Sequence, residues 1–323
     1  MLNRRQVLAG LAAGPLALTG AMAQPAFPSR PVRLIVGYTA GGAVDLIARA
    51  VAQQMQGSLG QPVVVENRPG AGTNVAIRAL TDSAPDGHTL MLAANALAAN
   101  VSLYNPAPYD LSRDITPVAL VGRVPVVLAV AASSPAAGLQ QFIASAKAGT
   151  QKVSYGSPGN GSTPHLAMEL FERAAGIKLT HVPYKGGSQA ITDALGGHVQ
   201  AVAVNALEVQ PHVRSGKLRV LGVMTPQRAA IFPDVPTVAE SGFAGFEASV
   251  WYGVVAPAGL PPALATRLHA EVQKAIASDE VRQRLVSAGG EVLPGPAARL
   301  GTLLQDESAR YAKLIREAQI KPD

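Results

Sequence analysis

The chain has 323 residues, of which 48% are apolar, 15% charged and 4% aromatic, with a formal net charge of +6 and no cysteine. This length suits two domains with a substantial core, and the apolar share argues against disorder. Few aromatics and scattered basic residues argue against a nucleic-acid surface, and the missing thiols exclude disulfides, thiol catalysis and thiolate metal sites.

The N-terminus reads as an export signal. Arg4 and Arg5 form a basic start, Val7–Leu18 is a short apolar stretch, and Ala21-Met22-Ala23 fits a small-residue cleavage site. The apolar stretch is shorter than the ~20 residues needed to span a bilayer, which argues against an anchor. Asn3-Arg4-Arg5-Gln6-Val7-Leu8 also resembles a twin-arginine signal except at Asn3, so that route and the general secretory route both stay open. Residues 1–23 are thus expected to be removed, leaving a periplasmic protein that starts near Gln24. Without Arg4 and Arg5 there are 25 basic and 21 acidic residues, a net of +4. This mild excess suits a small anion or serves solubility alone.

The first strand–loop–helix unit is Arg33–Met55. Gly41-Gly42 permits a tight bend and close backbone approach, and Asp45 falls in the first turn of the helix. Such an opening bares backbone N–H groups, which together with the helix dipole attract an anion. The same residues are also compatible with a plain turn that Asp45 caps. A strand at Val63–Glu66, a loop through Arg68 and Gly70, and a helix over Asn74–Asp82 follow. Arg68 reads either as a carboxylate clamp or as a turn residue paired with an acidic neighbour. Thr89–Ala93 is a buried strand, and Asn95 lies just past its C-terminal end, where open α/β sheets place ligand groups.

Val118–Val130 is expected to cross into a second domain; Gly122, Arg123 and Pro125 interrupt it, so it is no membrane span. The alternation then resumes with a helix at Gly138–Lys147 and a strand at Lys152–Tyr155. The loop Gly156–Pro164 holds three glycines, two serines, a threonine and an asparagine before a helix ending at Gly176. Thr163 is the expected N-cap, with Pro164 at the first helical position. The hydroxyls of Ser162 and Thr163 would stand where a carboxylate is bound most strongly. His165 reads as a packed or capping neutral histidine in preference to a ligand contact. Thr180–Gly197 is a third such unit, with Ser188 as expected N-cap. Val199–Asn205 and Leu218–Met224 are strands, and Val250–Val255 is the return crossover, where Trp251 reads as core. Pro261–Ile320 is mostly helical, with Ala297–Ala318 the longest helix.

The sequence lacks G-x-S-x-G, H-E-x-x-H, Walker A and G-x-G-x-x-G patterns, and its six histidines do not pair at metal-ligand spacing. No catalytic residue, metal or cofactor is expected.

Several segments resemble the Bug family, the periplasmic receptors of tripartite tricarboxylate transporters. They are Gly41-Gly42-Ala43-Val44-Asp45, Val65-Glu66-Asn67-Arg68-Pro69-Gly70, Asp86-Gly87-His88-Thr89-Leu90, Tyr155-Gly156-Ser157 with Gly161-Ser162 and His165-Leu166, His181-Val182-Pro183-Tyr184-Lys185-Gly186, and Pro233-Asp234-Val235-Pro236-Thr237. The resemblance implies an α/β, two-domain periplasmic-binding-protein-like fold with the ligand in the interdomain cleft. Domain 1 would comprise residues 24–122 plus 251–323, and domain 2 residues 123–250. It implies a monomer that binds a small mono-, di- or aromatic carboxylate and hands it to membrane transporter components, or serves as an orphan sensor. The candidate ligand-binding set is Tyr38, Thr39, Gly41, Gly42, Asp45, Asn95, Ser157, Gly161, Ser162, Thr163, His165 and Asn205. Two departures bear on selectivity. Tyr38-Thr39-Ala40 stands where the family carries prolines, and Asn205 and Gln200 stand where it often carries acidic residues, which favours a plain acid over an amino acid. The alternative is an exported hydrolase with an unrecognised active site.

Overall fold

The computed structural model describes residues 27–149, 152–287 and 289–322; the export signal and Gln24 lie outside the described residues. Strand β1 (Val32–Val36) leads to helix α1 (Ala43–Leu59), β2 (Val63–Asn67) to α2 (Asn74–Thr81), and β3 (Thr89–Ala93) to α3 (Ala96–Leu103). A short α4 (Leu111–Asp114) enters the long strand β4 (Ile115–Ala131). There follow α5 (Leu139–Ala148), β5 (Ser154–Ser157), α6 (Thr163–Ala175), β6 (Thr180–Pro183), α7 (Gly187–Leu195), β7 (Ala201–Asn205), α8 (Ala206–Arg214) and β8 (Leu218–Val223). Strand β9 (Ser249–Pro257) precedes α9 (Pro262–Ala277), α10 (Asp279–Val286), β10 (Glu291–Val292) and α11 (Ala297–Ala318).

The strand order is β2-β1-β3-β9-β4-β7-β5-β6, with β8 and β10 also pairing β4. Strands β1, β2 and β3 pair in parallel, as do β5, β6 and β7. The antiparallel β4 and β9 join the two groups. From Ile115 to Pro125, β4 pairs with β9; from Val126 onward it pairs with β7 and β8. The two expected crossovers are therefore neighbours, with Arg123 opposite Trp251 and Pro125 opposite Ser249. Between Val118 and Val130 every residue of β4 except Arg123 is buried. Helices and sheet cover both faces, which explains the near-continuous apolar run.

One apolar cluster serves the first group, from Ile35 and Leu97 to Trp251 and Tyr311, and another the second, from Val127 to Phe232. A third runs through both, from Val36 and Val51 along Val126 and Leu128 to Phe171. The two halves thus share a core along β4.

Two caps differ from the sequence expectation. Helix α6 starts at Thr163 with Ser162 as N-cap, because the Ser162 hydroxyl accepts from His165 N at 3.4 Å; Pro164 is consequently the second helical residue. Helix α7 starts at Gly187 with Gly186 as N-cap, which leaves Ser188 inside the first turn. Ser188 was the expected N-cap; the first helical residue is instead Gly187, where a side chain would run into the Glu208 carboxylate. The Gly176 C-cap is found in the left-handed region, at φ 61°, as a helix stop favours.

Candidate functional site

The N-termini of α1, α6, α7 and α8 converge on one buried cavity between the two halves of the sheet. Gly42 and Ala43 line it from α1, Ser162 and Thr163 from α6, Gly187 from α7, and Asn205 and Glu208 from α8. Tyr38 and Val250 complete two of its walls. The free volume is about 20 Å³, room for about one water molecule. Larger hollows of about 670 and 710 Å³ exist elsewhere, but neither gathers several helix N-termini. Four of the charges around the first pair with each other, Arg123 with Glu291 and Arg310 with Glu307.

Four helix openings concentrate backbone donors and positive dipole ends at one point. Among the described residues, Thr163 Oγ1 is buried there without a hydrogen-bond partner. Unpaired buried polar atoms are uncommon, and this hydroxyl is free to bond a group entering the cavity. Across the cavity, Ala43 N donates to Glu208 Oε1 at 2.9 Å. Glu208 Oε2 accepts from the backbone N and the side-chain Nδ2 of Asn205, both at 3.3 Å. Burial pushes the Glu208 carboxyl above its ordinary range, although these hydrogen bonds act in the opposite sense. Burial likewise raises the Tyr38 phenol, aided by the Glu208 charge.

Of the twelve expected residues, Tyr38, Gly42, Ser162, Thr163 and Asn205 meet at the cavity. The others stand behind it or at its lip. Thr39 N donates to Lys185 O at 3.1 Å, so the two halves touch there. Gly41, at φ 81°, makes the turn into α1, and its N–H donates to Asp45 Oδ2 at 2.9 Å. Asp45 also accepts from Arg49 and Asn67 and faces the loop it braces. Burial raises its carboxyl, but the bonds from Arg49, Gly41 and Asn67 outweigh burial and hold it below its ordinary range. Asn95 turns inward, donating to Glu307 and Tyr311 and accepting from Trp251 N. It ties β3 to β9 and α11. Arg68 pairs with Glu66 at 2.6 Å, as its turn reading has it.

Ser157, Gly161 and His165 form the rear of the loop before α6. His165 Nδ1 accepts from Gly161 N at 3.2 Å. Its ring stacks on His181 at 4.1 Å, and His181 in turn stacks on Tyr155. Ser157 Oγ lies 2.7 Å from His181 Nε2, a spacing shared with nucleophile–base pairs. Ser157, however, is fully buried and does not border the cavity. Burial pushes His181 down to about 2, so its imidazole is neutral. The stack fixes the loop that carries Ser162 and Thr163.

Residues 47–320 match the family described as Tripartite tricarboxylate transporter family receptor. The chain belongs to this family. It is 38% identical to BugT of Bordetella pertussis over 91% of each chain. Its fold superposes on the periplasmic binding protein BugD with a TM-score of 0.88, at 30% identity, covering 92% of this chain and all of the other. The R. palustris protein Rpa4515, solved with adipate, gives a TM-score of 0.87 at 33% identity over 92% of this chain and all of the other. The family is one of periplasmic solute receptors with a two-domain α/β fold, and it is not enzymatic. The Ser157–His181 contact is accordingly a structural one.

Sequence reasoning missed Glu208. Its signal was present as Asn205-Ala206-Leu207-Glu208, the spacing by which an N3 glutamate reaches back to an N-cap. Hydrogen bonding of Glu208 to Asn205 N follows that pattern, and the further bond to Ala43 comes only with the fold.

Proposed function

We propose that the chain is an exported receptor for one small organic carboxylate, held between the N-terminus of α1 and the Ser162–Thr163 opening of α6. The single observation that carries this reading is the unpartnered Thr163 Oγ1 in a cavity where four helix N-termini meet. A carboxylate would take the hydroxyls of Ser162 and Thr163 together with backbone donors, all charge-assisted. Neutral sugars and free cations offer nothing that this donor-rich wall needs. Adipate in a relative at 33% identity supports the same ligand class.

Residues 24–122 plus 251–323 would move as one domain and residues 123–250 as the other. The change of partners along β4 at Pro125 and Val126, beside Ser249 of β9, supports a hinge there. The mature receptor would begin near Gln24, act as a monomer in the periplasm, and deliver its ligand to membrane transporter components. The test is a thermal-shift and calorimetric screen of mono-, di- and aromatic carboxylates against sugars and amines. A ligand at a hundred times its Kd stabilises by about 2.7 kcal/mol, a clear shift in Tm. A screen in which sugars or amines bind and no acid does would overturn the reading.

A further inference from the structure

The cavity between the halves already holds a carboxylate, and it belongs to the chain itself. Glu208 stands in the first turn of α8, yet its Oε1 sits at the mouth of α1, accepting from Ala43 N at 2.9 Å across a sequence separation of 165 residues. Its other oxygen accepts from the backbone and side chain of Asn205. Among the described residues no cation pairs with it; backbone N–H groups and one amide meet its oxygens, as they would meet those of a bound carboxylate.

Two glycines make the room. A Cβ on Gly42 would stand 3.0 Å from Glu208 Oε1, and a Cβ on Gly187 would collide with the carboxylate outright. Neither glycine has a left-handed φ, so the backbone does not require glycine at either position. What requires it is the carboxylate packed against both. With Glu208 in place, the remaining space of about 20 Å³ admits no second carboxylate.

We propose that Glu208 is a built-in competitor: its carboxylate occupies the α1 donors, draws the two halves together without ligand, and must be displaced before a ligand carboxylate takes its place. The proposal rests on the reading of this cavity as the carboxylate site. It makes Glu208 the residue that sets affinity, since every ligand is measured against an internal anion tethered at the same donors. It also selects ligands, because only a group that satisfies those donors as well as a carboxylate does can replace one.

The test uses Glu208→Gln, which keeps the side-chain length and the cap on α8 but removes the charge, and Glu208→Ala, which removes both. Small-angle X-ray scattering follows closure in the ligand-free full-length mature chain, and calorimetry follows binding of adipate as probe. Both ligand-free variants should have a larger radius of gyration than the wild type. Adipate should restore compactness and bind them roughly ten- to a hundredfold more tightly, the equivalent of one charged hydrogen bond no longer competed for. Unchanged scattering in both variants overturns the proposal, and so does weaker adipate binding, which would make Glu208 a group that holds the ligand. If no acid binds any form, the carboxylate-site reading fails, and the scattering result alone decides whether Glu208 holds the halves together.

Discussion

Replacing Thr163 with valine separates the ligand role of this residue from its structural one. The two side chains have nearly the same shape, so packing at the head of α6 is preserved. Thr163 is 5% exposed and its Oγ1 has no hydrogen-bond partner. Removing an unsatisfied buried hydroxyl relieves a desolvation penalty of about 1–3 kcal/mol. Valine is a slightly weak helix former, which offsets a few tenths of a kcal/mol of that gain. The ligand-free variant should therefore be as stable as the wild type or more stable by about 1 kcal/mol. In the complex the same hydroxyl would donate to a carboxylate, a bond of about 1.5–3 kcal/mol, so affinity should drop roughly ten- to a hundredfold. Urea denaturation of the ligand-free protein and calorimetric titration with the best acid of the screen measure the two quantities separately. A variant that loses stability while keeping its affinity would show that the hydroxyl serves the fold, and the site reading would lose its main support.

Ser162→Ala should behave differently, because that hydroxyl caps α6 at His165 N: it should lower stability by about 1 kcal/mol as well as weaken acid binding, as denaturation and titration would show. Gly41→Ala meets no atom within 4 Å but must hold φ at 81°, so it should destabilise by about 1–2 kcal/mol through backbone strain alone, read from a urea midpoint at unchanged m-value. Glu172 is raised to about 7, first by burial and then by the nearby Glu169 charge, against an ordinary value of 4.5. The folded state thus keeps a proton that the unfolded state has lost, so wild-type stability should fall relative to Glu172→Gln as pH rises from about 4.5 to about 7; parallel stability curves across that window would refute it. N-terminal sequencing of periplasmic material should start at or near Gln24, and an intact Met1 in a soluble cytoplasmic pool would refute export.

Much of the fold was legible because it depends on local pattern. Helix α11 occupies Ala297–Ala318, the span its apolar spacing predicts, since one face must meet the core at Leu300, Leu304 and Tyr311. The buried crossovers were legible as apolar runs, but their pairing with each other was not, because periodicity says nothing about which strand a buried strand meets. The one-residue shift at α6 has a simple origin: Ser162 and Thr163 are both competent caps, and only the backbone decides which hydroxyl reaches His165 N. Asn95 illustrates the opposite failure. Its position past the end of β3 was read correctly, and its side chain turns away from the cavity because Glu307 and Tyr311 of α11, over two hundred residues further on, offer it partners.

The site divides along the same line. Each helix opening is a local property of a strand, small residues and a helix, so the openings at Gly42 and Ser162 could be read one at a time. That both serve one ligand in the interdomain cleft was also expected; what local pattern does not show is how they are joined, by β4 and β9 lying side by side in the middle of one sheet. Glu208 depends on that joining entirely. Read locally it is an N3 glutamate completing a cap, which accounts for one of its oxygens. A neutral Asn205 favours a plain acid, yet the fold also brings the Glu208 carboxyl into the same cavity. On the displacement proposal, selectivity would be governed by which carboxylate, the chain's own or the ligand's, occupies the donor at Ala43.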